Sequence, residues 1–401
     1  MRLKLLKEAS QRVANTVRRT SLEFSSTLSA QSGHPIHLKL ENLQVTGSFK
    51  IRGALNKVAA LCEEKKLKGI IAASAGNHAQ GVAFSAQRHG IPAIIVMPEN
   101  APISKISATK SYGAQVVLAG ETVDDSFVKA NELKEEYGYE YIHPFDDELI
   151  IAGQGTIGLE IYDQLPNVGT VVVPIGGGGL ISGVAIALKS KNKKIRVIGV
   201  EATNAASMYQ SLNIGSKTTL RHVKTIADGI AVKSPGDLTF AYCQRYVDEI
   251  VTVTEEEIAS AILYGLERKK TVLEGAGAVP LAALLHGKLS LNGPTALVLS
   301  GGNIDVNRIA LLIERGLVKN NRRMKLRVIL PDRPGALSEI TKVIAELRGN
   351  ILEISHNRQA PNVLIDSAEV SLMLEIRDKE HGNSIITTLC ELGYETKMVD
   401  Y

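Results

Sequence analysis

Val171-Val172-Val173-Pro174-Ile175-Gly176-Gly177-Gly178-Gly179-Leu180 decides the fold class. A short β-branched run ends in four consecutive glycines and passes into a helix-like stretch over 179–191. An unbroken apolar run of this kind suits a strand covered on both faces, as in a parallel sheet. Glycines between such a strand and a helix form a backbone cradle, whose free N–H groups and helix dipole suit a dianionic phosphate. A flexible turn is the plainer alternative, but four glycines cost more folding entropy than a turn requires.

The same grammar extends outward from that stretch. Strands are predicted at 69–73, 93–97, 115–118, 170–175, 195–200 and 296–300, with crossover helices at 77–89 and 179–191. This is α/β alternation, hence open parallel sheets with ligands beyond the carboxyl ends of the strands. The alternation stops near Val318, and Lys319-Asn320-Asn321-Arg322-Arg323 reads as a linker. Beyond it the order changes: strand 325–330, helix 336–348, strand 350–357, strand 367–375, helix 381–392 and strand 395–399. That is βαββαβ, a small ferredoxin-like unit. The expected domains are therefore 1–318 and 324–401, joined by 319–323.

Composition narrows the classes of function. The chain has 401 residues, 44% hydrophobic and 22% charged, with a net charge of +4, so disorder is not expected. Residues 324–401 carry 9 Lys/Arg against 12 Asp/Glu, while the first twenty residues alone contribute +5. The basic excess is thus an opening segment, read as an amphipathic helix, and not a stripe for nucleic acid. No apolar run is long enough for a membrane span. Three widely spaced cysteines, Cys62, Cys243 and Cys390, form neither a disulfide framework nor a metal site. A cytoplasmic protein without resident metal is expected.

Several motifs compete. Gly153-Gln154-Gly155-Thr156-Ile157-Gly158 fits G-x-G-x-x-G literally, but the stretch before it, 146–151, is a poor strand, which disfavours dinucleotide binding. No P-loop occurs. Ala72-Ala73-Ser74-Ala75-Gly76 resembles a degenerate nucleophile elbow, yet Ala72 stands where glycine is needed. The loop Ser74-Ala75-Gly76-Asn77-His78 reads better as a carboxylate cradle opening a helix, with no proton-transfer role for His78. Most lysines are solvated surface charges. Lys50, set between Phe49 and Ile51 in Thr46-Gly47-Ser48-Phe49-Lys50-Ile51-Arg52-Gly53-Ala54, is instead held against apolar groups, which lowers its pKa and makes its amine a candidate nucleophile. With Ser300-Gly301-Gly302-Asn303 and Glu274-Gly275-Ala276-Gly277-Ala278, these loops describe a site for pyridoxal 5′-phosphate and an amino acid.

The Lys50 segment closely resembles the cofactor-attachment segment of the serine/threonine dehydratases, which have the tryptophan-synthase β-like fold type II of pyridoxal-phosphate enzymes. Ser74 to His78, Gly176 to Leu180 and Ser300 to Asn303 match that family's other loops in order and spacing, over about residues 5–320. The tail, with Asp332-Arg333-Pro334-Gly335-Ala336-Leu337, resembles an ACT regulatory domain. Together the two resemble the short form of the threonine ammonia-lyase (threonine dehydratase) family. The resemblance implies that Lys50 carries the cofactor as a Schiff base, beside Phe49. Gly176, Gly177, Gly178, Gly179 and Leu180 would bind its phosphate, Asn77 its 3-hydroxyl, and Ser300 its ring nitrogen, with Glu274 nearby. A neutral serine there leaves the ring a weaker electron sink than a carboxylate would, which suits prompt loss of a β-leaving group. Ser74, Ala75, Gly76, Asn77 and His78 would hold the substrate carboxylate, Lys50 would take the Cα proton, and the cofactor phosphate would protonate the departing hydroxyl.

Threonine would thereby give 2-oxobutanoate and ammonia, the entry to isoleucine synthesis, and serine would give pyruvate. Asp332 to Leu337 would bind isoleucine or valine across an ACT pair, in a homodimer or homotetramer. A nucleotide effector, as in catabolic dehydratases, is the alternative. Serine racemase shares the fold but has a second serine where Ala75 stands, and a methyl group cannot shuttle a proton. A catalytically inactive amino-acid sensor is a third reading, opposed by Lys50. Two positions depart from the family pattern: Ser21, where proline is common, and Ser207, where a cation site near Glu201 and Ala205 would want a carboxylate.

Overall fold

A computed structural model describes residues 3–64, 67–319, 321–361 and 363–399. The chain divides into two compact units, 1–305 and 306–401. In the first, the strands in chain order are Leu22–Phe24 (β1), Ile36–Lys39 (β2), Ile70–Ala73 (β3), Ala93–Met97 (β4), Gln115–Leu118 (β5), Glu140–Tyr141 (β6), Thr170–Pro174 (β7), Arg196–Ala202 (β8), Glu249–Val253 (β9) and Thr295–Val298 (β10). They form a six-stranded sheet, β1-β2-β10-β7-β8-β9, and a four-stranded sheet, β5-β4-β3-β6. All pairings are parallel except β1 with β2 at one edge. Every residue of β3, β4 and β7 is buried, which is why these strands read as unbroken apolar runs. The crossover helices Asn77–His89 and Gly179–Lys191 have the expected bounds. The opening helix, Leu3–Val13, buries Leu6, Ala9 and Val13 on one side.

The G-x-G-x-x-G sequence lies in mid-helix. Asp147 caps the helix Glu148–Gln164 by accepting from the N–H groups of Leu149 (2.8 Å) and Ile150 (3.1 Å). Its glycines let three helices approach closely. A Cβ on Gly153 would lie 2.5 Å from the Arg52 carbonyl and 2.6 Å from Gly53 Cα; one on Gly155 would lie 2.9 Å from the Gly183 carbonyl. Gly158 would meet the Val184 carbonyl at 2.8 Å. These glycines serve packing, and the dinucleotide reading falls with that observation.

Behind the Lys50 segment lies a buried group of charges. Arg52, with no exposed surface, donates from Nε to Glu41 Oε2 (2.8 Å) and from Nη1 to Glu160 Oε1 (2.6 Å). Lys39, equally buried, donates from Nζ to Glu160 Oε2 (2.6 Å) and to the Thr20 carbonyl (2.8 Å). Burial alone would raise the Glu41 carboxyl, but the Arg52 guanidinium beside it brings it below the ordinary carboxylate range. Two cations against two carboxylates satisfy one another; removing Arg52 takes its ion-pair partner from the fully buried Glu41, at about 3–5 kcal/mol.

The second unit begins with the helix Val306–Lys319. It continues through Arg323–Pro331 (β11), Asn350–Asn357 (β12), Ser367–Glu375 (β13) and Glu395–Met398 (β14), in the antiparallel order β12-β13-β11-β14. Alternate residues of β11 and β13 are buried under the helices Ala336–Glu346 and Lys379–Glu391, giving the expected βαββαβ order. Of the expected linker 319–323, Lys319 ends a helix and Arg323 opens β11, while Asn320 lies outside the described residues. Among the described residues no helix is long and apolar enough to cross a membrane, and no cluster of potential metal ligands occurs.

Candidate active site

The proposed site loops of the first unit converge, and backbone bonds tie them together. Phe49 N–H donates to the Ser300 carbonyl (3.0 Å), Gly302 N–H to the Gly47 carbonyl (2.9 Å), and Glu274 N–H to the Gly301 carbonyl (3.1 Å). Ser48 bridges to Gly301. Lys50 opens the helix Lys50–Glu64, and its Nζ donates to the Pro144 carbonyl (3.0 Å), 5.5 Å from the centre of the Phe49 ring. Burial brings the amine down to about 8, against the opposing pull of the Glu274 carboxylate. A neutral carbonyl partner does not stabilise the ammonium form as a carboxylate contact would.

The glycine run follows β7, as read from the sequence, but each glycine also has a packing reason. A Cβ on Gly176 would lie 2.9 Å from Ile230 Cα; one on Gly177 would strike the Phe145 ring; one on Gly179 would meet the Phe145 carbonyl at 2.9 Å. Gly178 has φ +93°, the left-handed region where glycine is unstrained. Four glycines alone therefore do not demonstrate a phosphate site. The stronger observation is that the helix Gly179–Lys191 begins on Gly178 with no side-chain cap, so its first-turn amides face the loop unsatisfied by any side chain.

The helix Asn77–His89 is likewise uncapped at Gly76, next to half-buried Ser74, Ala75 and Asn77. His78 is turned away from that opening. Its buried Nε2 donates to the Ile142 carbonyl (2.8 Å), and burial together with the Lys50 charge takes its pKa down to about 3. It packs as a neutral ring. Asn77 Nδ2 donates to Glu274 Oε1 (2.6 Å), and its Oδ1 accepts from Asn303 Nδ2 (2.8 Å). Burial, reinforced by Asp228, pushes Glu274 up to about 7. Ser300 is buried, with its Oγ 3.4 Å from the Ala276 carbonyl.

Sequence reasoning missed the loop carrying His143, Pro144, Phe145 and Asp146. Phe145 stands over the glycine run, and His143 Nδ1 accepts from the N–H groups of Phe145 (3.2 Å) and Asp146 (2.7 Å). The Asp146 carboxylate in turn accepts from Asp237 N–H (2.9 Å) and Thr239 N–H (3.1 Å), and the Thr239 hydroxyl donates to the Gly177 carbonyl (2.6 Å). No motif marks this loop. Glu201, considered for a cation, is already engaged: its carboxylate accepts from Met208 N–H (3.0 Å) and Tyr209 N–H (2.7 Å), and burial raises it to about 8.

Asp332, Arg333, Pro334, Gly335, Ala336 and Leu337 belong to the second unit. Gly335, with φ +90°, opens the helix Ala336–Glu346 without a side-chain cap. Asp332 pairs with Arg358 (2.6 Å) and Arg333 with Glu339 (2.9 Å).

The residues fit pyridoxal phosphate on their own terms. An amine held near neutrality stands among loops that include an uncapped helix end, and the hydroxyls of Thr46 and Ser48 beside it are buried without a partner. Known proteins agree. An L-threonine ammonia-lyase of Thermotoga maritima is 53% identical over 395 residues, covering 98% of either chain. A crystal structure of a threonine deaminase from T.th. is 44% identical with a TM-score of 0.73, covering 76% of this chain and 99% of its own. A maize serine racemase structure is 37% identical with a TM-score of 0.74, covering 79% and 98%. The family described as pyridoxal-phosphate dependent enzyme matches residues 13–301, and the ACT domain matches 319–392. This chain thus belongs to the pyridoxal-phosphate dependent enzymes, with an ACT domain at its C-terminal side.

Proposed function

We propose that this protein is a threonine ammonia-lyase, converting L-threonine to 2-oxobutanoate and ammonia and L-serine to pyruvate. The observation that carries the reading is Lys50, whose amine is held at about 8 among the site loops. Pyridoxal phosphate, when bound, supplies an electron sink for the bonds at the substrate's Cα. The chain supplies the rest. Lys50 Nζ anchors the cofactor and, once free, takes the Cα proton; a pKa near the working pH suits both tasks. The amides of Gly176 to Leu180 take the phosphate, and the uncapped helix start at Ser74 to Asn77 takes the substrate carboxylate. Asn77 and Ser300 orient the ring, and Phe49 packs beside Lys50. The β-hydroxyl leaves as water, and the released enamine regains water to give the 2-oxo acid and ammonia.

Racemisation is the second reading, favoured by the likeness to serine racemase. It needs a proton donor on the opposite face of Cα, and Ala75 offers only a methyl group. Steady-state assays on L-threonine and L-serine test the choice. We expect 2-oxo acid from both; faster interconversion of L- and D-serine would overturn the reading. The ACT unit supports feedback by isoleucine or valine through Asp332 to Leu337, in a homodimer or homotetramer. Titrating turnover with each amino acid and with AMP tests the effector, and light scattering the oligomer.

A further inference from the structure

In the sequence Asn303 is only the end of a glycine turn. In the structure its Nδ2 donates to the Thr46 carbonyl (2.8 Å), in the segment leading to Lys50, and to Asn77 Oδ1 (2.8 Å), 226 residues away in sequence. Gly47 makes room for it. At φ +72° Gly47 places the backbone where any Cβ would run into the Asn303 side chain.

The chemistry of these partners removes the usual ambiguity of amide orientation. A backbone carbonyl can only accept, so the Thr46 oxygen requires the NH2 end of Asn303. The second N–H of that group then meets Asn77, which must present its oxygen. Asn77 is left with its own NH2 end towards Glu274, which it reaches at 2.6 Å. The reverse orientation would set the NH2 of Asn77 against the NH2 of Asn303, a contact between two donors whatever the state of Glu274, and, once Glu274 is ionised, Asn77 Oδ1 against its carboxylate. One N–H of Asn77 is thereby committed to Glu274 and the other remains as a donor.

We infer that Asn303 is a positioning residue: through the relay Thr46 carbonyl–Asn303–Asn77–Glu274 it fixes the amide of Asn77 so that an N–H, and not a carbonyl oxygen, faces the 3-oxygen of pyridoxal phosphate. The inference rests on the cofactor reading above and deepens it. A fixed donor favours the ionised 3-oxygen; an amide free to flip would present a repulsive oxygen part of the time. The Thr46 carbonyl serves here as the fixed acceptor that sets the orientation of the Asn303 amide.

The test uses the full-length protein, with Asn303→Ala, the near-isosteric Asn303→Asp, Asn77→Ala, and the double variant Asn77→Ala/Asn303→Ala. The readouts are the visible spectrum of the bound cofactor, its pH titration and the cofactor dissociation constant. Wild type should show a visible band with added cofactor; without one, the cofactor reading itself fails, independently of Asn303. Given that band, both Asn303 variants should change it, move its titration to higher pH and weaken cofactor binding about tenfold. The double variant should be no worse than Asn77→Ala alone, because Asn303 acts through Asn77. An unchanged spectrum in the Asn303 variants, or additive losses in the double variant, would overturn the proposal. So would loss of the apoprotein's near-UV circular dichroism in both Asn303 variants, which would assign the residue to folding of the loop.

Discussion

At the scale of single residues, the pKa of Lys50 sets when its amine can act. Held at about 8, it is half deprotonated in mildly alkaline solution, where an exposed lysine is almost wholly charged. The rate of cofactor capture by apoprotein should therefore rise with pH to a half-point near 8. A rise continuing past pH 10 would show an ordinary lysine. Lys50→Ala should abolish both turnover and the visible band. Glu274 works in the opposite sense. Its folded pKa of about 7 exceeds the ordinary carboxyl value of 4.5, so between these the folded apoprotein keeps a proton that the unfolded chain has released. Stability from this group is full below 4.5 and is lost as pH rises through 7. Glu274→Gln should remove that part of the slope, seen as a wild-type-minus-variant difference in melting temperature that varies between pH 4.5 and 7. Lys50 was legible because its apolar neighbours are adjacent in sequence. Phe145 was not, since the glycines it covers lie about 30 residues away and no motif marks it, and Asn303, although it ends a loop read as part of the site, gave no sign of its role, since Asn77 lies 226 residues away.

Among the elements, β3, β4, β7, β8, β10 and the crossover helices were legible, the strands because two-sided burial leaves an apolar run, whereas β1, β2, β6 and β9, two of them only two or three residues long, were not predicted. The helix Glu148–Gln164 was not legible as a helix. It is covered on several sides, so its apolar residues trace no stripe, and its glycines imitate a nucleotide motif. Their role is testable. Gly183→Ala would drive a methyl group into the Ile151 carbonyl and to 2.6 Å from Gly155 N, both backbone atoms that cannot swing aside. A loss of about 3 kcal/mol is expected from denaturant unfolding. Gly33→Ala, at φ +74° but with open space around its Cβ, should lose only about 1 kcal/mol. Equal losses at the two sites would mean that helix contact is not what selects glycine at 183.

For the whole molecule, the change of grammar near residue 320 was the most legible feature, although the helix Val306–Lys319 groups with the second unit. If regulation resides there, removing 324–401 should leave threonine turnover within a few-fold of wild type and abolish its response to isoleucine or valine. Retained inhibition would place the effector elsewhere. The buried charges behind Lys50 have a consequence in time. Lys39, Glu41 and Arg52, fully buried, and Glu160, half-buried, come from segments up to 121 residues apart, and the three buried charges lose their water only against one another and Glu160. We expect them to close in one concerted step, after the segments that bear them have formed. Lys50 sits two residues from Arg52, at the start of the same helix, so its seat is expected to be completed by that step. During refolding, the visible band of captured cofactor should trail the recovery of helical ellipticity, and its appearance would date the arrival of the native state.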